Sequence, residues 1–333
     1  MPSFAETMSA PEINSDSRTL KQSYLRVPAR QAVGTAQKLT RALTGAALAI
    51  PYWMLAILHR GPGLRFRRRC FVLGLQMLFQ QKVRLSLSTF YQLFFCPIDS
   101  VRYFEFDFMW EALSRLHVRH YLDVSSPRLL PVIFLRSHPD TNGELVNPDE
   151  TDLRATETLV TASEFDSRCG LRNCRIEHAP FAPGWFDAVT SISVIEHIPD
   201  CRNAIHTLWE LLQPGGTLLL SVPCAAVAEE EHINRDFYGL QTPDGNGFFF
   251  HQYKFDQALL EERIYRVTGP PARLAIFGEK RAGTLLGWLC RRWTGQKYPL
   301  WKEPYAMARE FQYYEALSDL PGDGVIAMEF VKK

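Results

Sequence analysis

The chain has 333 residues and a nearly balanced charge, with 37 Lys and Arg against 36 Asp and Glu. Hydrophobic residues make up 46% and charged residues 22% of the sequence, which is typical of a globular protein with enough apolar material for a large core. A net charge of +1 gives no global basicity, so we predict that nucleic acid is not a partner. The seven cysteines include no CxxC pair, which favours reduced thiols in the cytoplasm over a disulfide framework or structural zinc.

The N-terminal third divides into two predicted parts. Residues 1–30 are polar and rich in Ser, Pro and Ala, and we expect them to form a disordered tail. Residues 31–100 are expected to form a helical extension or cap. Within them the run from Ala42 to Leu58 carries no charge, is interrupted by Pro51, and is followed by a basic run with Arg65, Arg67, Arg68 and Arg69.

Three interpretations of residues 42–80 compete. The favoured one is a helical cap that buries its apolar face on the rest of the protein. The second is a helix lying on a membrane surface, with its arginines at the level of the lipid headgroups. It would make this cytoplasmic protein peripheral to the inner face of a membrane. A transmembrane span is least favoured, because the uncharged run is shorter than the roughly 20 residues usually needed and Pro51 interrupts it.

The segment from Phe186 to Pro223 predicts a βαβ unit. Its parts, in chain order, are the strand Ala188–Ile192, the polar Ser193 with the pair Glu196-His197, a helix that ends at Pro214-Gly215-Gly216, and the apolar strand Thr217–Val222. Strands joined in this way pair in parallel with a right-handed crossover. Ligands of such sheets bind at the carboxyl ends of the strands, which is where these polar residues lie.

This segment resembles the class I S-adenosylmethionine-dependent methyltransferases, in which an FD-x-V strand is followed by an EH-x-x-D turn and by L-x-PGG. The matching residues are Phe186, Asp187, Glu196, His197, Asp200 and Leu212 to Gly216. The resemblance covers roughly residues 100 to 265. It implies an α/β fold, with a Rossmann-like, doubly wound, mostly parallel seven-stranded sheet and an antiparallel last strand. We expect this domain to occupy 101–333, with an insertion at about 278–321.

The other elements of the sheet follow from the apolar runs. We predict strands over Arg119–Val124, Gly143–Asn147, near Cys174–Glu177, and over Ala272–Phe277 and Val325–Val331, with helices over Val101–Leu113, Thr151–Arg168 and Tyr253–Val267.

The resemblance implies S-adenosylmethionine as the cofactor, held by a D-x-G-x-G-x-G loop after the first strand. Here the acid is kept as Asp123, but the three glycine places hold Ser125, Pro127 and Leu129. Ser125 and Ser126 are expected to offer hydroxyl and backbone N–H groups to the cofactor carboxylate. The alternative is that Asp123 is only a turn acid and that cofactor binding has been lost.

Further cofactor residues are implied at the next strand ends. An acid usually binds the ribose hydroxyls, and Asn147 or Asp149 is expected to take this place, although either is also a good turn former. Glu177 stands near the place of an adenine-binding Asp. Ser191 and Ser193 are expected to line the cleft beside the methionine moiety.

The Glu196-His197 pair resembles the EH of quinone-type O-methyltransferases, where an earlier acid helps to hold a divalent cation. Ser193 stands at that earlier position, so we predict no tight metal site. His197 is a candidate general base if the acceptor must lose a proton, and otherwise a residue that orders the loop. Glu196 is a catalytic-site candidate that is expected to act mainly as a structural acid near the cofactor.

The favoured function is an S-adenosylmethionine-dependent methyltransferase that acts by in-line methyl transfer on a small-molecule, glycan or lipid-linked acceptor. The alternative is a non-catalytic binding or scaffold protein of the same fold, which the missing glycines would suit. A nicotinamide dehydrogenase is disfavoured, because no GxGxxG follows the first strand.

Overall fold

A computed structural model describes residues 20–29, 32–79, 85–237, 239, 241–293 and 300–333. Most of the predicted tail, residues 1–19, lies outside this range. The end of that tail is not disordered as predicted, because it adds a strand to a small sheet. This sheet contains β1 (Lys21–Leu25), β7 (Glu229–Ile233) and β8 (Phe249–Lys254), in the order β1-β7-β8.

The central sheet has eight strands rather than the seven predicted. They are β2 (His120–Val124), β3 (Asn142–Val146), β4 (Cys169–Arg172), β5 (Phe186–Ile192), β6 (Leu212–Cys224), β9 (Arg273–Glu279), β10 (Phe311–Tyr314) and β11 (Gly324–Val331). Their order is β4-β3-β2-β5-β6-β11-β9-β10. The first five are parallel, and the last strand β11 is antiparallel to both its neighbours. The predicted doubly wound, mostly parallel sheet with an antiparallel last strand is therefore confirmed.

Helices cover the sheet and form the N-terminal extension. They are α1 (Thr35–Leu58), α2 (Leu64–Phe79), α3 (Leu87–Phe95), α4 (Arg102–Leu113), α5 (Leu129–Ser137), α6 (Glu150–Ala162), α7 (Cys201–Leu211), α8 (Gln257–Leu260), α9 (Arg266–Thr268), α10 (Thr284–Trp293) and α11 (Glu303–Glu310). A π-helical turn at Glu261–Tyr265 joins α8 to α9. Short 3-10 turns occur at Asp166–Arg168, Ile176–His178, Ile195–His197, Leu300–Lys302 and Leu317–Asp319.

Two element predictions were wrong. The strand expected near Cys174–Glu177 is β4, five residues earlier, because the four residues of this edge strand are only partly buried and give no apolar run. The helix expected from Tyr253 begins only at Gln257. The preceding residues form β8, where alternate side chains are buried between β7 and the cleft.

The predicted insertion at 278–321 contributes to both the sheet and the cleft. Its end supplies β10, which pairs antiparallel with β9 at the edge of the sheet. Its beginning supplies α10, whose Leu285, Leu286 and Leu289 line the cleft described below. A segment without a clear periodicity of apolar residues thus completes both the sheet and the cleft.

The core has a layer on each face of the sheet. Leu219 of β6 packs into the layer that contains α2 to α6, whereas its neighbours Leu218 and Leu220 pack into the layer with α7 to α9. Successive residues of a strand point to opposite faces. The uninterrupted apolar run of β6 therefore reflects burial on both faces of a parallel sheet.

Candidate active site

A cleft of about 850 Å³ opens at the carboxyl ends of β2, β3, β5 and β6. It is lined by eight of the ten predicted site residues, which are Ser125, Ser126, Asn147, Asp149, Glu177, Ser193, Glu196 and His197. Asp123 and Ser191 do not line it. These eight residues follow four different strands and share one cavity. Ligands of parallel sheets bind at this place, outside the carboxyl ends of the strands.

Asp123 lies beneath the cleft and orders the loop above it. Its carboxylate accepts hydrogen bonds from the Thr190 hydroxyl at 2.5 Å, the Ser126 N–H at 3.1 Å and the Tyr121 hydroxyl at 3.3 Å. Burial raises the pKa of Asp123 to about 6, and the hydrogen bonds from its neighbours oppose this rise. The geometry does not favour direct contact between Asp123 and a cofactor, because its carboxylate oxygens already accept these hydrogen bonds.

The Ser-Ser-Pro loop keeps a backbone shape that glycine usually provides. Ser125 stands at the first glycine place and adopts a φ of 53°, in the left-handed region that costs an L-residue roughly 1–2 kcal/mol. Its N–H donates to the Val146 carbonyl at 2.8 Å. The hydroxyl of Ser126 accepts from the Ile192 N–H at 3.1 Å. The loop therefore links the ends of β2, β3 and β5.

Asn147 and Asp149 both lie at the cleft and both shape the turn between β3 and α6. Asn147 accepts from the Asp149 N–H at 2.9 Å and donates to the Asp152 carboxylate at 3.1 Å. Asp149 caps α6 by accepting from the N–H groups of Thr151 and Asp152. Arg128 forms an ion pair with Asp152 across this turn. Which of the two predicted residues holds a ribose stays open.

The remaining predicted cofactor residues differ in position. Glu177 is partly buried on the turn Ile176–His178 at the rim of the cleft. Ser191 is fully buried within β5, and its hydroxyl has no hydrogen-bond partner among the residues that the structure describes. Ser193 follows β5 with a φ of 47° and lines the cleft.

Glu105 of α4 is a site residue that sequence reasoning missed. Its side chain is fully buried, and one oxygen accepts from the hydroxyls of Ser193 and Ser221, both at 2.6 Å. The other oxygen pairs with Arg102 at 2.9 Å, and Arg102 itself lines the cleft. The only sequence signal for Glu105 was its position as an acid inside the aromatic run from Tyr103 to Trp110. Such an acid is also typical of the polar face of an amphipathic helix.

His197 is held as a neutral ring. Its Nδ1–H donates a hydrogen bond of 2.6 Å to the carbonyl oxygen of His251. The lone pair of the neutral imidazole is therefore on Nε2. Burial lowers the pKa of His197 to about 4, so the ring is uncharged at neutral pH.

Glu196 is a buried acid beside this ring. It is 1% exposed, lines the cleft, and its Oε2 has no hydrogen-bond partner among the described residues. Burial raises the pKa of Glu196 to about 8, and the nearby Arg102 opposes the rise. The carboxyl group is therefore mainly protonated at neutral pH. A buried polar atom without a partner is rare in proteins and costs free energy unless a ligand satisfies it.

The far wall of the cleft combines a charged cluster with apolar side chains. Lys254 lies 3.0 Å from a carboxylate oxygen of Asp323 and 3.5 Å from one of Glu231. Burial lowers the pKa of His251 to about 3, so this imidazole is also uncharged. Both His251 and Lys254 line the cleft.

A methyltransferase-domain family matches residues 145–220. This segment runs from the end of β3 to β6 and contains the cleft residues Asn147, Glu177, Ser193, Glu196 and His197. Residues 145–220 are therefore similar to a methyltransferase domain. The match supports the predicted family and, with it, S-adenosylmethionine as the methyl donor. The Ser-Ser-Pro loop of this methyltransferase domain lies outside the matched residues.

Curated relatives are similar over short segments. The ubiquinone biosynthesis O-methyltransferase of Xanthomonas campestris pv. campestris (strain B100) is 47% identical over 60 residues, which are 16% of this chain and 25% of that protein. The ubiquinone biosynthesis O-methyltransferase of Alkalilimnicola ehrlichii is 27% identical over 126 residues, 38% of this chain and 50% of that protein. The chain thus spans a quarter to a half of the length of these relatives.

Among solved structures, the MccD protein is 11% identical with a TM-score of 0.47, over 71% of this chain and 99% of that one. The geranyl diphosphate C-methyltransferase from Streptomyces coelicolor A3(2) is 13% identical with a TM-score of 0.40, over 65% of this chain and 71% of that one. At this level of similarity, neither structure bears on the chemistry of this chain.

Glu196 predicts a pH-dependent effect on stability. The pKa of Glu196 is about 8 in the native state, and its ordinary value is 4.5. Between these pH values the native state keeps a proton that the unfolded state loses, so the stability of the wild type falls as pH rises from 4.5 to 8. The Glu196→Gln variant does not lose stability in this way. We expect its free energy of unfolding in urea to exceed that of the wild type by roughly 2–3 kcal/mol at pH 7.

The same comparison at pH 4 should show no such advantage, since the carboxyl group is then protonated in both states. The exposed Glu210→Gln on α7 is the matched control, for which we expect no pH-dependent difference. An equal advantage of Glu196→Gln at pH 4 and pH 7 would contradict the raised pKa.

Proposed function

We propose that this protein transfers a methyl group from S-adenosylmethionine to the hydroxyl oxygen of a small-molecule or lipid-linked acceptor. The observation that carries the proposal is the unpartnered Oε2 of Glu196, which is buried at the centre of the strand-end cleft of a methyltransferase domain. A ligand with a positive charge is the natural partner of such an oxygen. The sulfonium and amino groups of S-adenosylmethionine carry that charge.

The residues of the cleft fit this cofactor. Asn147 and Asp149 offer acceptors for ribose hydroxyls, and Arg102 offers a cation to a carboxylate. Ser125 and Ser126 bring the backbone of their loop to the cleft without the glycines. When bound, S-adenosylmethionine supplies the electrophilic methyl group. The protein's part is to align donor and acceptor and to exclude water, which can supply roughly 7–11 kcal/mol of the barrier.

His197 is the proposed general base. Its neutral ring lines the cleft, and the hydrogen bond from Nδ1 to the His251 carbonyl directs the Nε2 lone pair to accept a proton. Glu196 Oε1 lies 3.8 Å from Nε2, so the two groups are neighbours without a hydrogen bond. Glu196 is proposed to position the positive charge of the cofactor.

The acceptor end of the cleft combines apolar and polar walls. Leu285, Leu286 and Leu289 of α10 provide a surface for an aromatic ring or a lipid chain, and the cluster around Lys254 provides polar groups. The similarity to ubiquinone biosynthesis O-methyltransferases supports an oxygen acceptor. A non-catalytic binding role, the alternative left by the sequence, is not favoured, because the loop is ordered and the acid-imidazole pair faces the cleft.

Binding of the cofactor tests the proposal directly. Titration calorimetry of the wild type with S-adenosylmethionine should give saturable binding with one ligand per chain. In Glu196→Gln we expect the affinity for S-adenosylmethionine to fall about tenfold or more, because hydrogen bonds to charged groups contribute roughly 1.5–3 kcal/mol. The affinity for S-adenosylhomocysteine, which lacks the sulfonium charge, should fall less.

Glu210→Gln serves again as the matched control and should bind both ligands as the wild type does. Folded wild-type protein that binds neither ligand would contradict the proposed function. Equal losses for the two ligands in Glu196→Gln would contradict the role of Glu196 and leave the function itself standing.

The base role of His197 predicts a pH profile. With a simple catechol as acceptor and saturating S-adenosylmethionine, kcat should be constant from about pH 5 to 7, since the pKa of His197 is about 4. His197→Ala should lower kcat by about 10²–10⁴-fold with a smaller change in the Kd of S-adenosylmethionine. Unchanged kcat in this variant would assign His197 to ordering of the loop.

A further inference from the structure

The outer face of the N-terminal helices is an apolar surface that the described part of the fold leaves uncovered. On α1 it consists of Leu39, Leu43, Ile50, Met54, Ile57 and Leu58, each between 54% and 75% exposed; we call this set the apolar stripe. Its first five members are separated by intervals of three, four or seven residues, so they form one face, and Leu58 extends this face at its end. Apolar positions at this spacing are normally buried, which indicates that something covers the stripe.

The favoured cap interpretation does not account for this face. The side of α1 that packs on the domain consists of small residues, with Gly45, Ala49 and Ala56 buried. A Cβ on Gly45 would lie 2.1 Å from the Tyr91 hydroxyl, and this hydroxyl donates to the Ala42 carbonyl at 3.1 Å. Helix α1 is therefore fixed along the domain by its small side, and the side chains of the apolar stripe point away.

This packing also separates α1 from a spanning helix. By length and composition α1 is apolar enough to cross a membrane, and only 17% of its most apolar window is buried. Yet Tyr52 contacts the rings of Trp301 and Tyr305, at centroid distances of 5.0 and 5.7 Å, and Trp53 contacts Phe71 of α2. These contacts hold α1 against the domain, which favours a helix that lies on a surface.

Helix α2 continues the same side of the molecule with a basic face. A groove of about 970 Å³ between α2, α5 and α6 is lined by five arginines and one carboxylate, Glu164; we call it the basic groove, and its arginines are Arg65, Arg68, Arg69, Arg136 and Arg168. Arg65 and Arg68 are exposed and form no ion pair within the described part of the chain. Arg136 and Arg168 donate to backbone carbonyls, and Arg69 lies over the ring of Trp110. Arg65 and Arg68 remain at the groove, and guanidinium groups match phosphate oxygens in charge and geometry.

The basic groove and the apolar stripe are joined by the second half of α2. Val72, Leu75, Leu78 and Phe79 are between 39% and 81% exposed. By helical spacing Leu75 lies between Phe71, which faces α1, and Val72, which lines the groove, and Leu78 lies beside Phe71. Apolar side chains beside a row of arginines are typical of helices that lie in the interface of an anionic bilayer.

We propose that α1 and α2 dock this protein on an anionic lipid bilayer, with the apolar stripe in the acyl boundary and lipid phosphates in the basic groove. Charge complementarity favours the bilayer over a protein partner. In the patch formed by the apolar stripe and the basic groove, arginines lie at the edge and no acidic side chain lies within the stripe. The inference does not depend on methyl transfer, and its test needs no cofactor.

Flotation with vesicles tests this proposal. The full-length protein should bind vesicles of phosphatidylcholine with phosphatidylserine, bind pure phosphatidylcholine much less, and be released by high salt. Arg65→Gln/Arg68→Gln should lower the partition coefficient at least tenfold, since each basic residue near such a surface contributes measurably to binding. Leu43→Gln/Ile50→Gln should lower it by a similar factor.

Matched controls keep the test specific. Arg154→Gln/Arg266→Gln removes two arginines outside the patch, and Val227→Gln removes an exposed apolar side chain remote from it; both should bind as the wild type does. Circular dichroism confirms that each variant is folded.

Four results would overturn the proposal. The first is no binding of the wild type to anionic vesicles. The second is equal binding by the patch variants and the controls. The third is a dimer in solution that Leu43→Gln/Ile50→Gln dissociates, because a second copy would then be what covers the stripe. Binding that resists high salt would instead favour a spanning helix and contradict surface docking.

Discussion

The buried carboxylate of Glu105 is the contact on which the arrangement of the cleft depends. It accepts hydroxyl hydrogen bonds from residues that follow β5 and lie within β6, and it pairs with Arg102. A carboxylate is stable in such a place only when its oxygens are satisfied. By anchoring Ser193 in its left-handed conformation, Glu105 sets the direction in which the chain leaves β5, and hence where the next turn carries Glu196 and His197.

Burial then gives the cleft its electrostatic character. Glu196 holds a proton with a pKa of about 8, and the two imidazoles stay neutral with pKa values of about 4 and 3. The polar centre of the site is therefore almost uncharged before a ligand arrives. A cation that enters meets an acid able to ionise beside it, while an acceptor meets a ring nitrogen able to take a proton. One physical cause, exclusion of water, prepares both halves of the proposed reaction.

The sequence predicted the parts of the site that have strong local signals. The unit from Phe186 to Pro223 combines a strand pattern, a glycine stop and an apolar run. Each of these can be recognised in the sequence without the tertiary structure. Glu105 could not be predicted, because an acid on an aromatic helix looks solvent-exposed until the ends of β5 and β6 are placed beside it. The hydrogen bond from Thr190 to Asp123 could not be predicted either, since Thr190 is distant in sequence and lies on the neighbouring strand β5. The short β4 and the strand β8 were missed because pairing with neighbours, rather than local propensity, defines them.

Hydrogen exchange with and without S-adenosylhomocysteine tests the central claim that this cleft, with its serine-rich loop, is the cofactor site. Bound S-adenosylhomocysteine should slow amide exchange at three places. These are the loop from Ser125 to Leu130, the turn from Asn147 to Asp152, and the segment from Ile192 to Ile198. Exchange in α1 and α2 should not change. Protection absent from all three segments, or confined to the N-terminal helices, would contradict it.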